Sequence, residues 1–199
     1  MRFSKTIFAS CFGVLLCMAS AAIAHADPIT FTGSRFFPAG FPPAMPNPAR
    51  CGSGFPLVLT SPHLGTGNSN LGSFTSTESQ CVNVVTGNVS NGEIIFDFGG
   101  GNTFFATYIG TIAGAPLPPP PPGVVNVSFT YTLTGGTGIF AGATGSLIGN
   151  GTVTFTPAGT TSQIDISGTI QPVPEPATVL LLGSGLLGAV TAVRKRRKR

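Results

Sequence analysis

The chain has 199 residues, 28 of them glycine and 18 proline, with 8% charged residues and a formal net charge of +4. Most of its cations lie at the two ends: Arg2, Lys5 and six consecutive residues at 194–199. Residues 27–173 hold only Arg35 and Arg50 against Asp27, Glu78, Glu93, Asp97 and Asp165. The body of the chain is therefore mildly acidic, which excludes the basic face that nucleic-acid binding needs.

Residues 1–26 read as a signal peptide. Arg2 and Lys5 form a basic start, 7–23 is apolar, and Ala24-His25-Ala26 fits the small-x-small cleavage rule. Signal peptidase and the Sec translocon are the partners this implies, and the mature chain would begin at Asp27. A lipoprotein reading through Cys17 puts Leu16 where a small residue is wanted. With Cys11 and Cys17 removed, Cys51 and Cys81 remain. Two cysteines in an exported chain favour a disulfide, closing a loop of about 30 residues and worth roughly 3–4 kcal/mol. Two free thiols, or a metal site with His63, are the alternatives; no metal or cofactor is predicted.

The body, 27–171, predicts one all-β domain, an antiparallel barrel or sandwich. It is rich in Gly, Thr, Ser, Val and Phe and has no lysine. Residues 29–32 predict a first strand, and the proline-rich stretch 33–54 an irregular arm. Residues 55–60 suggest a strand and 61–73 a Gly/Asn/Ser loop. Residues 81–89 carry valines around a break at Thr86-Gly87-Asn88. Asn91-Gly92 is a hairpin-turn signal, since both residues tolerate positive φ. Residues 93–98 and 103–112 predict strands flanking a turn at 99–102. The run PLPPPPP at 116–122 cannot donate to a ladder. It reads as a loop between neighbouring strands, with a two-domain division as the weaker alternative. Beyond it the period of two is clean. Val127, Phe129, Tyr131 and Leu133 point one way, with Ser128, Thr130, Thr132 and Thr134 opposite. Val153 and Phe155 alternate with Thr152, Thr154 and Thr156, and Ile164, Ile166 and Ile170 continue the pattern. No helix is signalled in 27–171.

The segment TGGTGIFAGATG at 134–145 resembles a bend of dirigent and allene-oxide-cyclase-like β-barrels. The resemblance implies that Gly135, Gly136 and Gly138 bend the chain and Phe140 anchors the bend; it supplies no catalytic residues. A phosphate loop is excluded, because no Lys-Ser/Thr pair or helix follows.

Catalytic candidates are sparse. His63 is the one histidine of the mature chain, in a Pro/Gly setting that reads as solvated. Glu78, Glu93, Asp97 and Asp165 are carboxylates that could in principle pair for glycoside hydrolysis, though the sequence does not place them together. Glu93 and Asp97 share strand parity, but solvent-facing positions are the simpler reading for all four. The chain is read as a non-enzyme. Threonine- and serine-lined strands suit a structural or adhesive surface protein, or alternatively a carbohydrate- or ice-binding module. Tyr108, Tyr131 and the absence of Trp leave a thin stacking platform for sugars, which Phe supplements in part. A glycan-active enzyme is a weaker reading.

The C-terminal segment, 172–199, has three parts. Pro174-Glu175-Pro176 is a rigid charged turn. Residues 177–193 are uncharged and mostly apolar, and as a helix would span about 25 Å, within the membrane-spanning range. Arg194, Lys195, Arg196, Arg197, Lys198 and Arg199 would hold the end in the cytoplasm as a stop-transfer signal. This order resembles the PEP-CTERM sorting signal of Gram-negative bacteria, a tail also labelled an ice-binding protein C-terminal domain. The resemblance implies recognition by an exosortase, a membrane cysteine transpeptidase, and cleavage near the motif. It also implies a cell-surface or extracellular destination and an association with exopolysaccharide or biofilm production. A simple C-terminal anchor is the alternative.

Overall fold

The computed structural model describes residues 27–38, 45–46, 48–52, 57–59, 63–117, 123–157 and 159–172, together with Gly183 and Gly185. The expected signal peptide, the Pro174-Glu175-Pro176 motif, nearly all of the apolar span and the basic tail lie outside these residues. Among the described residues no helix is long and apolar enough to cross a membrane.

The described strands are β1 (Ile29–Phe37), β2 (Met45–Pro46), β3 (Leu57–Leu59), β4 (His63–Ser69), β5 (Gly72–Asn83), β6 (Asn88–Asp97), β7 (Thr103–Ile112), β8 (Gly123–Thr137), β9 (Thr144–Thr156) and β10 (Gly159–Gln171). From β4 to β10 each strand pairs antiparallel with the next, and β1 closes the ring between β10 and β4. The result is a closed, eight-stranded up-and-down barrel, which settles the choice between barrel and sandwich. Closure removes the open edges that the ring's strands would otherwise expose. The short β2 and β3 extend the sheet outside the ring, with β3 pairing to the Cys81–Asn83 end of β5.

The interior follows from alternation. Val125, Val127, Phe129, Tyr131 and Leu133 of β8 are all buried, with exposed neighbours between them. Ile164, Ile166 and Ile170 do the same on β10. An eight-stranded barrel is just wide enough for side chains to fill. Here Phe31, Phe74, Phe96, Phe104 and Phe140 pack together at one part of the core, with Phe96 stacked on Phe104 at 4.5 Å. The column continues into Tyr131, Tyr108 and Phe129.

Between β8 and β9 the chain turns through a short 3-10 helix, Gly138–Phe140. Gly138 has φ +59°, a side chain at Gly136 would strike the Thr103 and Phe140 carbonyls, and Phe140 is fully buried. The turn at 99–102 and the strand 103–112 match expectation, and β7 and β8, the strands before and after the proline run, are paired neighbours; residues 118–122 of that run lie outside the described residues.

Four local expectations are corrected. β1 runs to Phe37, so the first part of the supposed arm is strand; Gly33 is tolerated because the Asn68 carbonyl and Ser69 crowd against it. A four-residue helical turn, Pro48–Cys51, follows where no helix was signalled. The supposed loop 61–73 contains β4, whose inward positions Gly65 and Gly67 carry no side chain and so conceal the period of two. Asn91-Gly92 is not a hairpin turn. Asn91 does take positive φ (48°), but as a bulge within β6. Three steps along β6 face two on both neighbours, leaving one extra residue. The β5–β6 turn lies earlier, at the Thr86-Gly87-Asn88 break, where Asn83 Oδ1 accepts from the Val85 and Thr86 amides.

Candidate functional site

Two features gather the polar residues: a charged cluster inside the barrel and a groove on its outer wall. The inner cluster starts from parity. Arg35 on β1 and Glu78 on β5 occupy inward positions and are almost fully buried. Arg35 Nη1 donates to Glu78 Oε2 at 2.6 Å. β4 lies between their strands, and its Gly65 keeps the way open; a Cβ there would meet the Phe37 ring and Ser76 Oγ at 2.7 Å. Arg35 Nη2 reaches the Tyr131 hydroxyl at 3.4 Å, and its guanidinium lies 4.6 Å from the Phe37 ring centre. The Tyr108 hydroxyl stands 3.2 Å from Glu78 Oε2 and 3.0 Å from Gln80 Oε1, with one proton for the two acceptors. Gly92, opposite Tyr108, makes room for that ring, which a Cβ would meet at 2.7 Å.

The surroundings keep both phenols protonated and the Arg35 guanidinium charged. Burial is the largest influence on both phenols: it lifts Tyr131 to about 12 and Tyr108 well above the ordinary value of 10. The Glu78 carboxylate adds to both shifts. Burial opposes the charge on Arg35, but Glu78 and the two tyrosines outweigh it and raise the guanidinium further. The cluster thus joins a permanent cation to proton-retaining phenols, a set suited to bracing the interior. Among the described residues no three His, Cys, Asp or Glu side chains stand together as a metal site.

A clasp lies beside the cluster. Cys51 and Cys81 are joined by a disulfide, with Cα atoms 5.7 Å apart. Next to it Arg50 donates to Ser79 Oγ at 2.8 Å and the Asn91 carbonyl at 2.9 Å, and pairs with Glu93 at 3.0 Å. Asn91, at the β6 bulge, is the residue whose carbonyl accepts from Arg50.

The groove crosses the outer wall of β10, β1, β4, β5 and β6 and has a volume of about 810 Å³. Register sets its lining. Gln163, Phe36, Thr66, Thr75 and Asp97 are successive cross-strand partners. Asp165, Ser34, Asn68 and Ser73 form the adjacent row. Phe36 is 46% exposed. Ser73 Oγ donates to Asn68 Oδ1 at 2.7 Å, and Asp97 Oδ1 accepts the Gly99 amide at 2.8 Å.

The sequence candidates are distributed accordingly. Glu93, Asp97 and Asp165 are exposed, and Glu93 and Asp97 do share a face. Glu78 is the exception to the solvent-facing reading, because Arg35 compensates its burial. Tyr108 and Tyr131 are interior braces and form no surface platform for sugars. His63 opens β4, and its side chain lies outside the described set. Sequence reasoning overlooked Arg35 as an interior residue. Its signal was the inward parity of Phe31, Arg35 and Phe37 once β1 is read past Gly33.

Residues 172–197 match the family model described as the PEP-CTERM protein-sorting motif. No curated protein and no solved structure matches the chain.

Proposed function

We propose that this chain is an exported protein sorted by an exosortase to the cell surface or extracellular matrix, where its barrel serves a structural or adhesive role alongside exopolysaccharide. The match at 172–197 carries the sorting part of this reading and implies exosortase as the processing partner. The barrel supports the rest. Aromatic rings and a braced ion pair fill its interior, so its contacts with other molecules fall to the outer wall. A closed ring with a disulfide suits a protein that works outside the cell. Deleting the exosortase of the host tests the proposal. The protein should then accumulate in the membrane fraction as a longer precursor. Unchanged release and unchanged size would overturn it.

A further inference from the structure

We infer that the outer groove is a binding site for a neutral glycan chain, with Phe36 as its stacking residue. This inference rests on the surface-protein reading and assigns it a site.

Shape comes first. Five successive cross-strand positions from Gln163 to Asp97 follow an arc of roughly 19 Å along the wall, at about 4.8 Å per strand. The second row lies two residues along the strands, about 7 Å away. A row that bends with the wall suits a flexible chain of a few sugar rings and does not suit a flat crystal lattice such as ice.

Lining chemistry comes second. The groove presents hydroxyls from Thr66 and Thr75 and carboxamides from Asn68 and Gln163. These groups both donate and accept, as polyol recognition requires. Ser73 donates to Asn68 Oδ1, so the Asn68 NH₂ is left to donate into the groove. Among them stands one half-exposed phenyl, Phe36, between Gln163 on one side and Thr66 on the other. Its negative ring face complements the C–H face of a sugar. A few placed polar groups around an apolar anchor are the usual composition of a ligand site.

Charge selects among glycans. Asp97 lines the groove and Asp165 lies in the adjoining row, while Arg35 is the one basic residue among those lining either; Arg50 stands farther along β5–β6, where Glu93 pairs with it. Arg35 contributes to the lining, yet its guanidinium is turned inward onto Glu78. The wall therefore repels polyanions, including acidic polysaccharides, nucleic acid and anionic lipid surfaces.

The test is affinity electrophoresis of the protein produced in its own host, in native gels containing dextran, xylan or galactomannan, with alginate as the polyanion. At least one neutral polymer should retard the protein. Phe36→Ala should weaken the retardation about tenfold, Gln163→Ala should weaken it less, and Ile148→Ser on another wall should leave it unchanged. Absence of retardation by every neutral polymer, retardation by alginate alone, or full retardation of Phe36→Ala would each overturn the inference. If the tail is processed but no neutral polymer binds, the groove assignment falls and the sorting reading stands. If a neutral polymer retards a protein that keeps its tail, the groove assignment stands and the sorting reading falls.

Discussion

Arg35 on β1 and Glu78 on β5 meet at 2.6 Å inside the barrel, across a strand that lies between theirs. Each is held at a depth where an unpaired charge is unstable. Arg35→Met removes the partner of a buried carboxylate and should lower the unfolding free energy by about 3–5 kcal/mol. The double variant Arg35→Met/Glu78→Leu should recover most of that loss, since an apolar pair of similar volume is often as stable. Chemical denaturation of the three proteins checks this; equal loss in single and double variants would show that the pair is not the cause.

The chain's two tyrosines both belong to this cluster. Their folded pKa values are raised, Tyr131 to about 12 and Tyr108 well above 10. Below pH 10 both phenols are protonated in the folded and unfolded states, and they add no pH dependence. Above pH 10 the unfolded chain releases protons that the folded chain retains. Stability should therefore fall as pH rises from 10 toward 12, by up to about 3 kcal/mol per unit for two groups. Tyrosinate absorbance and circular dichroism should change together. Tyrosinate forming near pH 10 in a folded barrel would contradict the burial of both rings.

Gly67 faces Phe74 across the β4–β5 pair, where a Cβ would lie 2.2 Å from the ring and 2.5 Å from the Ser34 carbonyl. The backbone contact cannot yield by a rotamer change. Gly67→Ala should cost about 1–3 kcal/mol, read as a lower melting temperature. The same change at Gly72, whose Cβ position is open but whose φ is +116°, tests backbone strain without crowding.

Replacing Cys51 and Cys81 by serine should destabilise the protein by roughly 3–4 kcal/mol, from the entropy of a loop with a sequence separation of 30. Denaturation with and without reductant should give the native protein two stabilities and the double variant one.

The later strands were legible because their inward positions carry large apolar groups: Val127 to Leu133 on β8 and Ile164 to Ile170 on β10 declare their period directly. β4 was not, because Gly65 and Gly67 fill its inward positions so that Phe37, Ser76 and Phe74 from neighbouring strands occupy the space. A strand whose interior side chains are supplied by its neighbours reads as a loop. The same gap hid the ion pair, since Arg35 and Glu78 lie 43 residues apart and only β4 brings their strands to either side of it. Asn91-Gly92 illustrates a further limit: positive φ is common to turns and bulges, and only the register of both neighbours separates them. The groove was visible only as hydroxyl-bearing parity. Its rows depend on which strands adjoin, above all on β1 closing the ring.

The most direct measurement is the intact mass of the protein recovered from the surface or medium of its host. Export and exosortase processing predict a chain that starts at Asp27, ends near Pro174-Glu175-Pro176 and retains the Cys51–Cys81 disulfide. A mature species still carrying Arg194 to Arg199 would contradict that account and leave a simple membrane anchor.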